Sequence, residues 1–426
     1  MKLLLKNALL IDPVAKSEQI GDILIANGKI EKIGTKIQAP TEARVIDLTG
    51  KIVTSGFIDM HVHLRDPGYE EKETVATGTK AAACGGFTAV VAMPNTKPAL
   101  DNETTIEYLN KKALSEGCIE VLPCASLTKA RNGLELAEYG ILKAAGACAV
   151  SDDGDPVVNS EVLRRAMEYS LLFDLPILSH CEDKELAGAG SMHEGYYSTI
   201  LGLKGIPSIA EDVIVARDIA LAEYTGARLH ICHVSSAGAV ELIRAAKKRG
   251  VKVTAEAAPH HFSLTDEDVI GYNTATKVNP PLRSVEHVEA IVAGLMDGTI
   301  DVIASDHAPH TGEDKNVEYE YAAFGISGVE TSVAIALNYL YHQKKMPISE
   351  LIERYTIAPA SVLGMNYQGL VQDREANLTV LDLELVKRVD VKTFASKGKN
   401  SPFDGKELKG WPVLTIYKGK IVAENL

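Results

Sequence analysis

Eight short apolar runs, each separated from the next by a helical stretch, dominate the middle of the chain and leave few folds open. The runs are "VTSGFIDMH", "FTAVVAMPN", "EVLPCAS", "ACAVSDD", "PILSH", "RLHICH", "VKVTAE" and "DVIASD". Between them lie stretches such as "NETTIEYLNKKALSEG", "NSEVLRRAMEYSLLF", "AGAVELIRAAKKRG" and "SVEHVEAIVAGLMDG". Several open on a capping-type residue and close on glycine, the usual helix punctuation. Eight strands alternating with helices over roughly 250 residues predict an α/β fold, a (β/α)8 TIM barrel.

The two ends of the chain follow a different rhythm. "DILIANGKIEKIG" places Asn27-Gly28 between two alternating runs, a hairpin signal. "NLTVLDLE" and "VLTIYKGKIVAE", with Lys418-Gly419 at a turn, echo it near the C-terminus. Both ends are expected to build one small β-sandwich module, residues 1–52 and 366–426, around a barrel of residues 53–365. A length of 426 residues accommodates both units.

Charge and cysteine usage narrow the function classes. The net charge is −13, which argues against broad binding to nucleic acid or an anionic membrane, since both need a basic face. Local cations can still hold a small acidic substrate. Cys84, Cys118, Cys124, Cys148, Cys181 and Cys232 form no CxxC pair, so buried thiols in a reducing compartment are expected. The opening "MKLLLKNALLIDP" is broken by Lys6 and Asn7 and reads as a strand rather than a signal peptide. No run approaches ~18 uninterrupted apolar residues, so no membrane span is expected and a cytoplasmic location follows as an expectation.

In a barrel of this kind, chemistry sits at the C-terminal ends of the strands and in the loops after them. Those ends carry His61 and His63 (strand 1), Asn95 (strand 2), Asp152-Asp153 (strand 4), His180 (strand 5), His233 (strand 6) and Asp306 (strand 8). Residues i and i+2 of a strand share a side, so His61 and His63 can grip one ion together. Imidazole and carboxylate both suit Zn²⁺. Four histidines and at least two aspartates exceed what one tetrahedral ion needs and fit two ions sharing a carboxylate. Such a pair lowers the pKa of a shared water and polarises a carbonyl. Of Asp152 and Asp153, one is expected to bind metal while its neighbour caps or orients a loop.

Any single strand histidine has a blander explanation as a hydrogen-bonded core residue. His230 and His260 fit that description, and His193, His287 and His342 are expected on the surface. Cys181 and Cys232 adjoin candidate ligands, but alternation assigns them to the opposite side, as packing. Arg65, directly after the first ligand pair, is a natural fork for a carboxylate. Asn279 in "KVNPPLR" and His310 in "SDHAPHTGEDK" gather near the same mouth. "AAFGISGVE" supplies Gly325 and Gly328, where backbone can approach a ligand closely or simply turn.

These motifs together resemble the dihydroorotase family of the amidohydrolase superfamily. "DMHVHLRDP" and "ASDHAPHTGEDK" are similar to its two signatures, and "MPNT", "SDDG", "SHCED", "HVSS" and "NPPLR" follow in the expected order over nearly the whole chain. The resemblance implies two Zn²⁺ ions per subunit. His61, His63 and Asp306 would bind one, His180 and His233 the other, and Asp153 would bridge them. A hydroxide bridging the metals would attack the ring amide, with Asp306 as general acid and base. Arg65, Asn95, Asn279, His310, Phe324 and Gly325, together with His63, would hold the substrate. The implied reaction is reversible ring closure of N-carbamoyl-L-aspartate to dihydroorotate in pyrimidine synthesis. Arg65 and His310 are expected to be the cationic anchors of the substrate carboxylate. Implied partners are this small molecule, a second copy of the chain in a dimer, and aspartate transcarbamoylase.

Many relatives, hydantoinases and allantoinases among them, bridge their metals with a carboxylated lysine. Strand 4 here ends in "CAVSDDGDP", and Lys143 lies earlier, in the preceding helix. The chain therefore resembles the group in which an aspartate takes that role. The alternatives are another cyclic amidase, such as an allantoinase or hydantoinase, and a silent homologue that scaffolds aspartate transcarbamoylase.

Overall fold

The computed structural model describes residues 2–426. Strands β1 (Lys2–Asp12), β2 (Ser17–Ala26), β3 (Lys29–Gly34), β4 (Ala43–Asp47) and β5 (Ile52–Ser55) form one part of a terminal sheet. The barrel strands are β6 (Phe57–Val62), β7 (Phe87–Ala92), β8 (Glu120–Ser126), β9 (Ala149–Ser151) and β10 (Ile177–Ser179). A two-residue ribbon, β11 (Met192–His193) with β12 (Gly205–Ile206), interrupts the series. The barrel resumes with β13 (Leu229–Ile231), β14 (Val253–Ala257) and β15 (Val302–Ile303). Strands β16 (Leu378–Arg388), β17 (Glu407–Tyr417) and β18 (Lys420–Glu424) complete the terminal sheet.

All eight barrel strands pair in sequence order and in parallel. The barrel closes just past the last strand. His63 N donates to His307 O at 2.8 Å, and Asp59 Oδ1 accepts from Ser305 N at 3.0 Å. Both links tie the end of β6 to the segment after β15. Helices cover the outside at the expected places, including Glu103–Glu116, Ser160–Leu171, Ala237–Lys248 and Val285–Asp297. Asn102, Asn159 and Ser236 cap the first three through their side chains, each satisfying amides that the first turn leaves open. Among the described residues, no helix is long and apolar enough to cross a membrane.

The terminal sheet runs β18-β17-β16-β5-β1-β2-β3, with β4 on the other stretch of β1. Leu3, Leu5, Ile23, Ile25, Val53, Leu378, Val380 and Leu414 share one core inside it, so the two chain ends fold as one unit. Asn27 and Gly28 both take positive φ, 52° and 79°, in the turn between β2 and β3. That is the geometry a two-residue hairpin needs.

One pairing irregularity matters for the chemistry. Ile58 and Met60 face the barrel interior among Val91, Cys124 and Leu178. The β6–β7 register then shifts between Asp59 and Val62. A bulge re-aims the side chains beyond it, and here His61 and His63 turn into the mouth.

The opposite end of the barrel is a stability pole. Phe57 stacks on Tyr355 with ring centroids 5.2 Å apart, and Phe87 meets Phe57 at 6.4 Å. All three are fully buried. Phe57→Ala is expected to cost about 3–5 kcal/mol, read as a lower denaturant midpoint with metal content unchanged.

Candidate metal centre

Asp153 stands at the middle of the barrel mouth. Its Oδ1 lies 3.4 Å from His61 Nε2, 3.5 Å from His233 Nε2 and 3.8 Å from His180 Nδ1. Its Oδ2 lies 3.6 Å from His63 Nε2. One carboxylate thus touches four imidazoles donated by three strand ends. Asp306 Oδ1 sits 3.2 Å from His63 Nε2 and 3.6 Å from His61 Nε2. His180 Nδ1 and His233 Nε2 are 2.9 Å apart. The ligand atoms fall into two trios, His61–His63–Asp306 and Asp153–His180–His233. All six residues are buried.

Asp152 turns away from this cluster. Its carboxylate accepts from the amides of Leu127 and Thr128 at 2.9 and 3.0 Å and from the Thr128 hydroxyl. It therefore orients the loop after β8, and Asp153 alone of the pair faces the mouth. His233 and Asp306 hold φ of 33° and 46°, as does Arg65 at 62°. Three non-glycine residues in the left-handed region at one mouth mark a backbone held in place by its surroundings.

The donor set suits divalent cations. His61 Nε2 and Asp153 Oδ1 are buried and, among the described residues, have no hydrogen-bond partner. Such atoms cost free energy unless something satisfies them. Burial pushes the His61 pKa down, but the charges of Asp153 and Glu256 outweigh it and hold the imidazole well above its ordinary value. Burial raises the Asp306 carboxyl, yet the His63 bond and the imidazoles of His61 and His233 bring it down overall. The imidazoles of His61 and His233, both held above the ordinary histidine value, thus bind protons that an incoming cation displaces.

Glu256, at the end of β14, is a residue the sequence reading missed. His61 Nδ1–H donates to Glu256 Oε1 at 2.6 Å, and His230 Nε2–H donates to Oε2 at 3.2 Å. The His233 amide donates to Oε1 at 3.2 Å. Burial raises the Glu256 carboxyl, but His61 and His230 hold it down to about 2. The carboxylate fixes the His61 tautomer with Nε2 aimed at Asp153.

The remaining expected residues lie around the same mouth. His63 Nδ1–H donates to Asn95 Oδ1 at 2.8 Å, which leaves the Asn95 amide group for another acceptor. Arg65 Nε donates to Pro309 O at 3.3 Å, and its Nη2 lies 3.3 Å from His310 Nε2. Burial lowers the Arg65 pKa to about 10, so the guanidinium keeps its charge at neutral pH. Asn279 contacts Glu182, whose Oε2 lies 3.8 Å from His180 Nε2.

Several expectations need correction. His310 is not a cation. Burial, then Arg65, Lys315 and Lys72, push its pKa down to about 3, so the imidazole is neutral at neutral pH. Its Nε2–H donates to Phe324 O at 2.8 Å. The Gly325 amide is committed to Lys277 O at 2.9 Å. A Cβ on Gly325 would fall 2.6 Å from Ala308 O, so this position requires a glycine. Cys232 is not on the far side. Its sulfur joins His61 and Asp153 within 4.8 Å, although burial and the Glu256 charge keep the thiol protonated and poor at binding metal. His193 is buried rather than on the surface, 3.2 Å from Arg283 Nη1. His230 and His260 are core residues as expected. Lys143 is exposed, in the helix Tyr139–Ala144, and cannot bridge anything at the mouth.

A (β/α)8 barrel with this cluster at its C-terminal mouth defines a metal-dependent hydrolase of the amidohydrolase type. Comparisons with known proteins agree and go further. A family model described as dihydro-orotase-like matches residues 50–239. A dihydroorotase from Pelotomaculum thermopropionicum is 52% identical over 100% of this chain and 99% of its own length. One from Syntrophus aciditrophicus is 51% identical over the full length of both chains. Among solved structures, an L-hydantoinase (dihydropyrimidinase) from Arthrobacter aurescens superimposes with a TM-score of 0.89. It is 27% identical, and the match covers 99% of this chain and 96% of that one. The chain belongs to the dihydroorotase family, enzymes that act on cyclic amides.

Proposed function

We propose that this chain catalyses the reversible cyclisation of N-carbamoyl-L-aspartate to (S)-dihydroorotate in pyrimidine synthesis, with two zinc ions per subunit. The observation that carries the metal arrangement is Asp153, whose two oxygens reach all four imidazoles. His61, His63 and Asp306 would hold one ion, His180 and His233 the other, and Asp153 both. When bound, the ions lower the pKa of a shared water and polarise the amide carbonyl.

The chain's own residues supply the rest. In the hydrolytic direction Asp306 accepts the proton of the attacking water and passes it to the departing ring nitrogen. In synthesis the same carboxyl works in reverse, as the ureido nitrogen bonds to the side-chain carboxyl carbon and water leaves. Arg65 provides the charged fork for the substrate's other carboxylate. The neutral imidazole of His310 and the amide groups of Asn95 and Asn279 orient the ring without adding charge. A cyclic amide lacking a carboxylate gains nothing from Arg65, which favours dihydroorotate over hydantoin or allantoin.

The test is metal quantification on purified protein, together with assays of carbamoyl aspartate cyclisation and of hydantoin and allantoin hydrolysis. Two ions per chain with cyclisation as the dominant activity is the expected result. Faster hydrolysis of hydantoin or allantoin overturns the substrate assignment. Arg65→Met is expected to raise KM for dihydroorotate by roughly 10- to 100-fold, the scale of a lost charge-assisted hydrogen bond. Metal content should hold. An unchanged KM removes Arg65 from the anchor.

A further inference from the structure

The connection between β16 and β17, residues 389–406, leaves the terminal sheet and reaches the barrel mouth. Three contacts dock it there. Ser396 Oγ donates to Glu73 Oε2 at 2.5 Å, and the Lys397 amide to Glu73 Oε1 at 3.3 Å. Glu73 also accepts from His307 Nε2 at 3.2 Å, so the same carboxylate grips the residue after Asp306. Gly398 passes so close to the barrel that an added Cβ would lie 2.5 Å from Pro309 Cβ and 2.6 Å from Ser327 Oγ.

The third contact is Asn400, which is 6% exposed. Its Oδ1 accepts from the His310 amide at 3.0 Å and from Ser327 Oγ at 2.8 Å. Its Nδ2 donates to Gly325 O at 2.9 Å and to Ala308 O at 3.3 Å. Its own carbonyl accepts the Ser327 amide at 2.9 Å. Two donors and two acceptors use the full capacity of a primary amide. No other side chain of this size offers both sets.

The four partners belong to two stretches of chain. Residues 308–310 follow β15 and carry His310. Residues 325–327 follow Phe324, whose carbonyl takes the His310 ring proton at 2.8 Å. The two stretches also pair directly, where the Ala308 amide donates to Ile326 O at 2.8 Å beside a bridge between His307 and Ile326. Asn400 adds four side-chain bonds to that pairing, at the His310 end of both walls, and it touches none of the six candidate metal ligands.

We propose that Asn400 is a positioning residue for substrate binding: a side chain from the C-terminal module sets the place of His310 beside Arg65. The inference rests on the reading of Arg65 as the fork for the substrate carboxylate and of His310 beside it as a group that orients the ring. It gives the terminal module a role in the active site that the barrel alone does not supply. Asn400→Asp keeps the shape and the acceptors but loses both donors, and it sets a carboxylate against two carbonyls.

The experiment measures KM and kcat for dihydroorotate hydrolysis, metal content and Tm in Asn400→Asp and Asn400→Ser, with Arg65→Met alongside. Asn400→Asp is expected to raise KM about tenfold or more, while kcat changes by less than about threefold and both ions stay bound. Asn400→Ser keeps one donor, one acceptor and room for a water, so its KM should lie between those of Asp and wild type. Raised KM in Arg65→Met with unchanged KM in both Asn400 variants overturns the Asn400 role alone. Unchanged KM in Arg65→Met overturns the reading of the Arg65 fork itself. Loss of folding, or a lowered Tm with KM untouched, assigns Asn400 to stability and ends the proposal.

Discussion

Asp153→Ala is expected to leave one metal ion per chain instead of the two proposed for the wild type, and to lower cyclisation by at least about 10³-fold, beyond the loss of one transition-state donor. The two trios explain the asymmetry. His61, His63 and Asp306 remain three buried donors after the substitution, enough for a tetrahedral ion completed by water. His180 and His233 are left with two nitrogens and no carboxylate between them. Their ion should leave first. The control is Asp152→Asn, which alters the loop after β8 and should keep both ions, because Asp152 points to Thr128 and not to the imidazoles. Elemental analysis of both variants checks the pair. Two ions retained in Asp153→Ala removes the bridging role.

This contrast also shows what a sequence can and cannot tell. Adjacent residues at a strand end point to different places, so "SDD" announces one ligand and one loop anchor without saying which. The choice belongs to Thr128, 25 residues away in chain terms from Asp153, whose hydroxyl and amide claim Asp152. His61 and His63 were legible because their spacing alone puts them on one side. The barrel was legible because eight apolar runs and their helices repeat at a steady interval. The length of the strands was not: β15 holds two residues, since the closing hydrogen bonds fall beyond it at His307. The expected charge on His310 failed for a related reason. Burial at that site, with Arg65 and Lys72 brought in from distant parts of the chain beside nearby Lys315, keeps the ring neutral. Asn400 lay outside every motif, because its work is to tie two loops together from a third.

Glu256 was the omission with the largest consequence, and it carries the second large effect. A carboxylate in "VTAEA", flanked by alanines in a buried strand, is costly unless it is paired. That cost was the available signal. Glu256 pairs with His61 and His230 at once and also takes the His233 amide, so it braces ligands of both trios. Glu256→Gln keeps the volume and one acceptor but gives up the charge, and it is expected to weaken metal binding by about 10- to 100-fold. Glu256→Ala should do worse and also destabilise the fold, since two imidazole N–H groups lose their acceptor inside the barrel. Competition of the metal-loaded protein with a chromogenic chelator measures the affinity without reference to turnover. The pH dependence adds a second reading. Glu256 helps hold the His61 pKa above its ordinary value, and metal binding must displace that proton. Without the Glu256 charge the imidazole gives up its proton at lower pH. The Gln variant should then show its metal affinity levelling off at lower pH than the wild type, even as the plateau itself falls. Wild-type affinity at every pH in Glu256→Gln makes this carboxylate a core residue with no hold on the metal centre.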